Sequence, residues 1–475
     1  MAGTSSDAGK SLIVAGLCRA WARQGIKVAP FKAQNMSNNS MVCPDGSEIG
    51  RAQYLQAIAA GVEPSAVHNP VLLKPATDRR AFIVLRGQPS GTLEAGEYTS
   101  GRTRLAEAAF ASYRELAATY DLVVCEGAGS PAEINLRQGD YVNLGLAREF
   151  GLPTVLVGDI DRGGVLASIF GHWGIVDDGD RALLAGYLIN KFRGDQAVLE
   201  PGLNELTART GLPCFGVVPW LNQVWLDSED ALAFAKWPRL PGRAGTLRVA
   251  AIRFPRISNA TDLDALAAEP GLDVFVTASA QDIISADLVV LPGSRSTLAD
   301  LAWLRELGLA DALLGRARAG GPILGICGGY QMLTESIDDP VESRLGTESG
   351  LGLLAARVRF SEAKILGRPA GQWQGHPVVA YEIHHGVVEA AGGEPFLDGV
   401  RVGNTWGTIW HGAFENDQFR RAWLTELAGT VGSSWQPAPG APGFAERRTQ
   451  MLDDLADALE ANVDLPALLA LAGHR

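Results

Sequence analysis

No stretch of the chain carries the roughly 18 consecutive apolar residues that a membrane span requires, and no basic segment followed by an apolar one opens it. A membrane partner is therefore not expected, and the chain reads as cytoplasmic. Cysteine is scarce, with five residues at 18, 43, 125, 214 and 327 among 475. Their number is odd, their spacing wide, and C-x-x-C never occurs, so neither a disulfide framework nor a cysteine zinc site is expected. Positive charge is in deficit too. The net charge of −12 at pH 7 offers no general field for nucleic acid, leaving room only for a local basic pocket around an anionic ligand. Internal repeats and low-complexity tracts are also missing.

What is present describes a globular chain: 47% of residues are hydrophobic and 20% charged, enough material for a sizeable core. The length exceeds that of a single ordinary core, so two domains are expected. In the first half, helical periodicity in "SLIVAGLCRAWARQ" and "RTRLAEAAFASYRELAATY" alternates with short apolar runs, "IKVAPF", "DLVVC", "PTVLVGD" and "AGYLIN". Such runs, ending at polar or glycine residues, read as buried parallel strands. A second series follows with "LRVAAIRF", "LDVFV", "DLVVLPG" and "PILGIC". The expectation is an α/β protein of two doubly wound domains, 1–225 and 247–430. A Pro-, Gly- and Arg-rich linker is expected at 226–246 and a helical extension at 431–475.

"GTSSDAGKS" sets Gly9, Lys10 and Ser11 directly before an apolar helix. There, backbone N–H groups and the helix N-terminus can cradle phosphate, Lys10 neutralises charge, and the Ser11 hydroxyl suits Mg²⁺. The strict phosphate-loop pattern needs glycine at position 4 and finds Thr4, with Gly3 one place early. The segment resembles the variant phosphate loop of the dethiobiotin synthetase-like ATP enzymes, G-T-x-x-x-x-G-K-[ST]. Those enzymes also carry a strand ending in "VEGAG", matched here by "VVCEGAGS", and the resemblance implies ATP with Glu126 as a second magnesium ligand. Lys32 in "PFKAQNM" is placed at a strand end to stabilise a transferring phosphoryl group. "LINKFRGD" resembles the strand end that reads adenine in those enzymes, which suggests Asn190. Glu48 in "DGSEIG" is a weaker metal candidate, with a hydrophilic turn as its other reading. Since such a loop normally follows a buried strand, a start recorded too late is expected, with a missing central strand as the alternative.

"GICGGYQ" fits G-x-C-x-G-x-Q, the nucleophile elbow of class I glutamine amidotransferases, which it resembles. A tight strand-to-helix turn exposes Cys327, flanking glycines admit substrate, and the helix N-terminus favours thiolate. His411 in "GTIWHGAF" supplies the base and then the acid. Gly293 in "LPGS" and Gly328 offer oxyanion-binding N–H groups, and Gln331 helps hold glutamine. The acidic orienter is missing from its usual place two residues after the histidine, where Ala413 stands. Glu415 or Glu382 could replace it, or the site could run as a dyad. His384 and His385 in "YEIHHG" are two adjacent histidines without a third, and a structural or interdomain role is preferred over metal binding.

An ATP site and a glutaminase on one chain imply a single plan: a carboxylate is phosphorylated, and ammonia released at Cys327 attacks the acyl phosphate through an enclosed route. The runs "TSSDAGKS", "PFKAQNMSNNS", "EIGRAQ", "NPVLLKP", "VVCEGAGSPAEINL", "GDIDRGG", "NKFRGD", "GICGGYQML" and "YEIH" resemble the cobyric acid synthase family. The resemblance implies ATP- and glutamine-dependent amidation of the b, d, e and g carboxylates of a cobyrinic acid a,c-diamide corrinoid. Asn35, Asn38, Asn39 and Arg51 are candidates for corrinoid contact or for loop caps. Another glutamine-dependent amide ligase, such as cobyrinic acid a,c-diamide synthase, and a non-catalytic nucleotide-binding regulator are the alternative readings.

Overall fold

The computed structural model describes residues 1–77, 80–94, 102–221, 224 and 245–473. The expected linker lies, apart from residues 245–246, outside them. The chain divides into two compact units, one of Met1–Ser37, Cys43–Leu226 and Arg448–Arg475, the other of Asn38–Val42 and Asp227–Arg447. The described helices include none long and apolar enough to cross a membrane, and all five cysteines are free thiols.

In the first unit a parallel sheet runs in the order Ala2–Gly3, Thr154–Asp159, Leu184–Phe192, Cys214–Pro219. A second parallel pair, Val28–Phe31 with Leu122–Cys125, is tied to it at Met1, whose amino group donates to the Cys125 carbonyl at 2.7 Å. The expected apolar runs are thus strands, buried by helices in the manner of parallel sheets. Ala2–Gly3 is the short strand that feeds the phosphate loop, and the loop's helix, Lys10–Arg23, follows at once. Ile13, Val14 and Leu17 of this helix are buried in the core with Val28, Val155 and Val157. A separate sheet, Gln34–Met36, Val71–Thr77, Arg80–Leu85 and Gln88–Glu94, is built mainly of hairpins.

The second unit holds a seven-stranded sheet in the order Leu272–Thr277, Leu247–Ile252, Leu288–Leu291, Ile323–Ile326, Thr405–Thr408, Gly399–Val402, Glu394–Phe396. Its first five strands are parallel and the last two antiparallel. Leu288–Leu291 and Ile323–Ile326 are buried along their whole length. They end side by side, which delivers the "LPGS" turn and the cysteine elbow to the same edge, the carboxyl ends where open α/β sheets place their sites.

The C-terminal helix, Phe444–Asn462, has an assignment that composition did not suggest. From Arg448 onward it belongs to the first unit. Met451, Leu452 and Leu455 pack with Ala15, Leu55 and Ala59, and a Cβ on Gly16 would stand 2.5 Å from a Leu459 methyl.

Candidate active site

The elbow starts with conformation. Cys327 ends a buried strand and caps the helix Gly328–Leu333 with φ 49° and ψ −110°, a strained backbone that a β-carbon tolerates poorly and that marks nucleophile turns. The turn closes because residue 329 is glycine: a Cβ there would lie 1.9 Å from the Leu291 carbonyl oxygen. The Cys327 amide donates to the Thr408 carbonyl at 2.8 Å. Three residues after Thr408, His411 is almost fully buried. Its ring stacks on Tyr381 with centroids 5.3 Å apart, and reciprocal backbone bonds of 2.9 Å join these two residues.

The acid that the fold brings to His411 is Asp262. Its Oδ2 lies 2.7 Å from His411 Nδ1, and its Oδ1 accepts the Gly412 amide at 2.7 Å. Burial pushes the His411 pKa down. The charge and hydrogen bond of Asp262, with the charge of Cys327, outweigh that effect and raise it to about 10. The expectation that Glu415, Glu382 or no acid at all serves His411 is therefore corrected. Glu382 instead lies 3.3 Å from His384 Nε2, and Glu415 ends the short helical turn Ala413–Glu415. Asp262 opens the helix Asp262–Ala267, far from His411 in sequence and without a motif around it.

Gly293 stands where a Cβ would be 3.0 Å from His411 Cε1, and a Cβ on Gly328 would be 2.7 Å from the Ser294 amide nitrogen. Both expected oxyanion glycines are thus at the elbow. Gln331 is buried, with its Oε1 accepting from Thr297 Oγ1 at 3.0 Å and its Nε2 donating to the Gly386 carbonyl at 3.4 Å. Ser294 Oγ donates to Asp300 at 2.5 Å, while burial pushes the Asp300 carboxyl up to about 6. His384 Nδ1 lies 2.8 Å from the Gly386 carbonyl and His385 Nδ1 3.1 Å from that of Ser361.

In the first unit the phosphate-loop residues converge on Glu126. Ser11 Oγ donates to its Oε1 at 2.7 Å, and the Lys32 ammonium lies 2.9 Å from the same oxygen. Lys10 Nζ reaches the carbonyls of Ser5 and Gly129, each at 3.4 Å. Gly9 takes φ 88° at the helix cap, and the Thr4 amide donates to the Val157 carbonyl at 2.9 Å. Asn190 Nδ2 donates to the Ala8 carbonyl at 2.9 Å, so its amide braces the loop. A residue that sequence reading missed, Gln56, donates to Glu126 Oε2 at 2.7 Å and to the Ser11 carbonyl at 3.1 Å. Two hard oxygen donors, the Ser11 hydroxyl and the Glu126 carboxylate, sit side by side and fit Mg²⁺. Glu48 is elsewhere engaged, in a buried pair with Lys74 at 2.7 Å. Among the described residues no cluster of three His, Cys, Asp or Glu side chains could hold a metal ion. Asn35 Nδ2 donates to Gln53 at 2.8 Å, and Arg51 is buried.

A phosphate loop on one doubly wound unit and a cysteine elbow with its histidine on another define a nucleotide-binding glutamine amidotransferase. Residues 1–232 match the CobQ/CobB/MinD/ParA nucleotide binding domain family, and residues 248–419 the CobB/CobQ-like glutamine amidotransferase domain family. The chain is 62% identical over 478 residues to the cobyric acid synthase of Cutibacterium acnes, covering 99% of each protein. Over 480 residues it is 54% identical to that of Mycolicibacterium vanbaalenii, covering 100% of this chain and 96% of the relative. Over 479 residues it is 53% identical to that of Streptomyces coelicolor, covering 99% and 95%. The chain belongs to the cobyric acid synthase family: it is a glutamine-hydrolysing ligase that performs a glutamine-dependent amidation in cobalamin biosynthesis.

Proposed function

We propose that residues 1–225 use ATP and Mg²⁺ to activate the b, d, e and g carboxylates of cobyrinic acid a,c-diamide. In the same proposal residues 247–430 release the ammonia that converts each to an amide, 226–246 link the two parts, and 431–475 form a helical extension. The observation that supports this most strongly is the His411 ring, buried and held at Nδ1 by Asp262 at 2.7 Å, with the Cys327 amide bonded to Thr408 three residues before it.

In the glutaminase, the Cys327 thiolate attacks the carboxamide carbon of glutamine, and the resulting oxyanion is held by N–H groups of Gly293 and Gly328. His411, charged at neutral pH by its raised pKa, gives its proton to the leaving nitrogen, and ammonia departs as the thioester forms. The neutral imidazole then takes a proton from water, which attacks the thioester and frees glutamate with the thiolate restored. Asp262 holds the ring in the required tautomer and stabilises its charge. Gln331 shapes the glutamine pocket from behind the elbow.

In the ATP half, a corrinoid carboxylate oxygen attacks the γ-phosphorus, ADP leaves, and ammonia displaces phosphate from the acyl phosphate. Thr4, Gly9 and Lys10 cradle the phosphates, Lys32 neutralises charge on the transferring group, and Asn190 meets the base. Ser11 and Glu126 are the donors that would hold Mg²⁺, which supplies charge neutralisation at the phosphate oxygens. Glu48, paired with Lys74, is the weaker candidate for that ion.

Incubation with cobyrinic acid a,c-diamide, ATP, Mg²⁺ and glutamine should yield, by mass spectrometry, a corrinoid with four further carboxylates converted to amides. ATP hydrolysis that does not respond to the corrinoid, with the corrinoid mass unchanged, would overturn the reading.

A further inference from the structure

Asn38–Val42 begins at the end of the "KAQNMSNNS" run near the start of the sequence, yet it belongs to the compact unit that holds the glutaminase. Three hydrogen bonds fasten this segment to residues 258–260. Ser258 Oγ donates to the Asn38 carbonyl at 2.8 Å, the Ser40 amide donates to Asn259 Oδ1 at 2.9 Å, and the Ala260 amide donates to Asn39 Oδ1 at 3.3 Å. Asn39, Ser40, Ser258 and Asn259 are all buried, and the bonds of the Ser40 and Ala260 amides are shielded from competing water. Asn259 holds φ 50°, a left-handed conformation that asparagine tolerates better than most residues.

The same loop carries the glutaminase machinery. The Ser258 amide donates to the Gly293 carbonyl at 2.9 Å, and the Arg295 amide to the Arg256 carbonyl at 2.8 Å. In a trans peptide the carbonyl and the following N–H point in opposite directions. Pinning the Gly293 carbonyl onto Ser258 therefore turns the Ser294 N–H away from that loop. The Ser294 nitrogen lies 2.7 Å from where a Cβ on Gly328 would be, beside the nucleophile. Two residues beyond Ala260 the chain reaches Asp262, the partner of His411.

We propose that the Asn38–Ser40 strap is a positioning element of the glutaminase: through Ser258 and Asn259 it fixes the Gly293–Ser294 peptide beside Cys327 and the approach of Asp262 to His411. The proposal rests on reading Cys327, His411 and Asp262 as the glutaminase centre. Neither Ser258 nor Asn259 touches the reacting atoms in this scheme. Their effect passes through the loop they hold.

The test uses the full-length enzyme with Ser258→Ala, which removes one hydroxyl, and Asn259→Gly, which permits the positive φ and deletes only the side chain. Glutamine hydrolysis is measured with kcat and KM separated, alongside thermal unfolding and Cys327→Ala as a control. The expected result is a kcat lower by about 10- to 100-fold with KM for glutamine changed less than about 2-fold, in protein that remains folded. A folded Ser258→Ala and Asn259→Gly pair with wild-type kcat, or a change confined to KM, would overturn the proposal. Should Cys327→Ala itself still hydrolyse glutamine, the underlying reading of the centre fails instead, which separates the two failures.

Discussion

His411 carries its charge because two partners hold it against the cost of burial. Asp262→Asn keeps the shape but removes the carboxylate, and glutamine hydrolysis should fall by about 10²- to 10⁴-fold in kcat, as steady-state kinetics would report. The same pair makes a pH prediction. The folded pKa of about 10 stands above the ordinary histidine value of 6.5. Its stabilisation is therefore complete below about pH 6.5 and is lost as pH rises through about 10. Urea unfolding should show the stability gap between wild type and Asp262→Asn largest near the lower limit and closing toward the upper one; a gap that widens with pH contradicts the assignment. Cys327, His411, Ser11, Lys32 and Glu126 were legible because each sits in a run whose neighbours carry the chemistry: glycines at the elbow and loop, apolar strands before them. Asp262 and Gln56 were not. An aspartate at a helix start looks like an ordinary N-terminal residue favoured by the helix dipole, and a glutamine within a helix carries no spacing signal. Only the fold brings them to His411 and Glu126.

At the scale of elements, the parallel strands were readable as short apolar runs, since burial on both faces leaves little alternation to disguise them. The destination of the C-terminal helix was not, because an amphipathic pattern reveals an apolar face and says nothing of what covers it. That face meets the helix of the phosphate loop at Gly16. Gly16→Ala would force a methyl to 2.5 Å from Leu459 and 2.9 Å from Leu455. It should destabilise the first unit by about 1–3 kcal/mol, the range for overpacking, even though alanine is the better helix former. Denaturant unfolding followed by a probe in that unit is the check, and unchanged or increased stability would count against the packing. Arg19 and Arg23 flank the contact with Asp453 and Asp457 at 2.8 and 2.6 Å, but these pairs are partly exposed and contribute little beside the apolar contact.

For the whole molecule, activation of the acid and liberation of nitrogen fall, in the proposed scheme, to different side chains on different folding units. Glu126→Gln should therefore abolish amidation whether glutamine or ammonium salt supplies nitrogen, as product analysis would show. The most direct test of the central division is Cys327→Ala, assayed by mass spectrometry of the corrinoid with ATP and Mg²⁺ and with either nitrogen source. Amide formation should disappear with glutamine and persist with ammonium salt. Loss with both sources, or undiminished amidation from glutamine, would contradict the account.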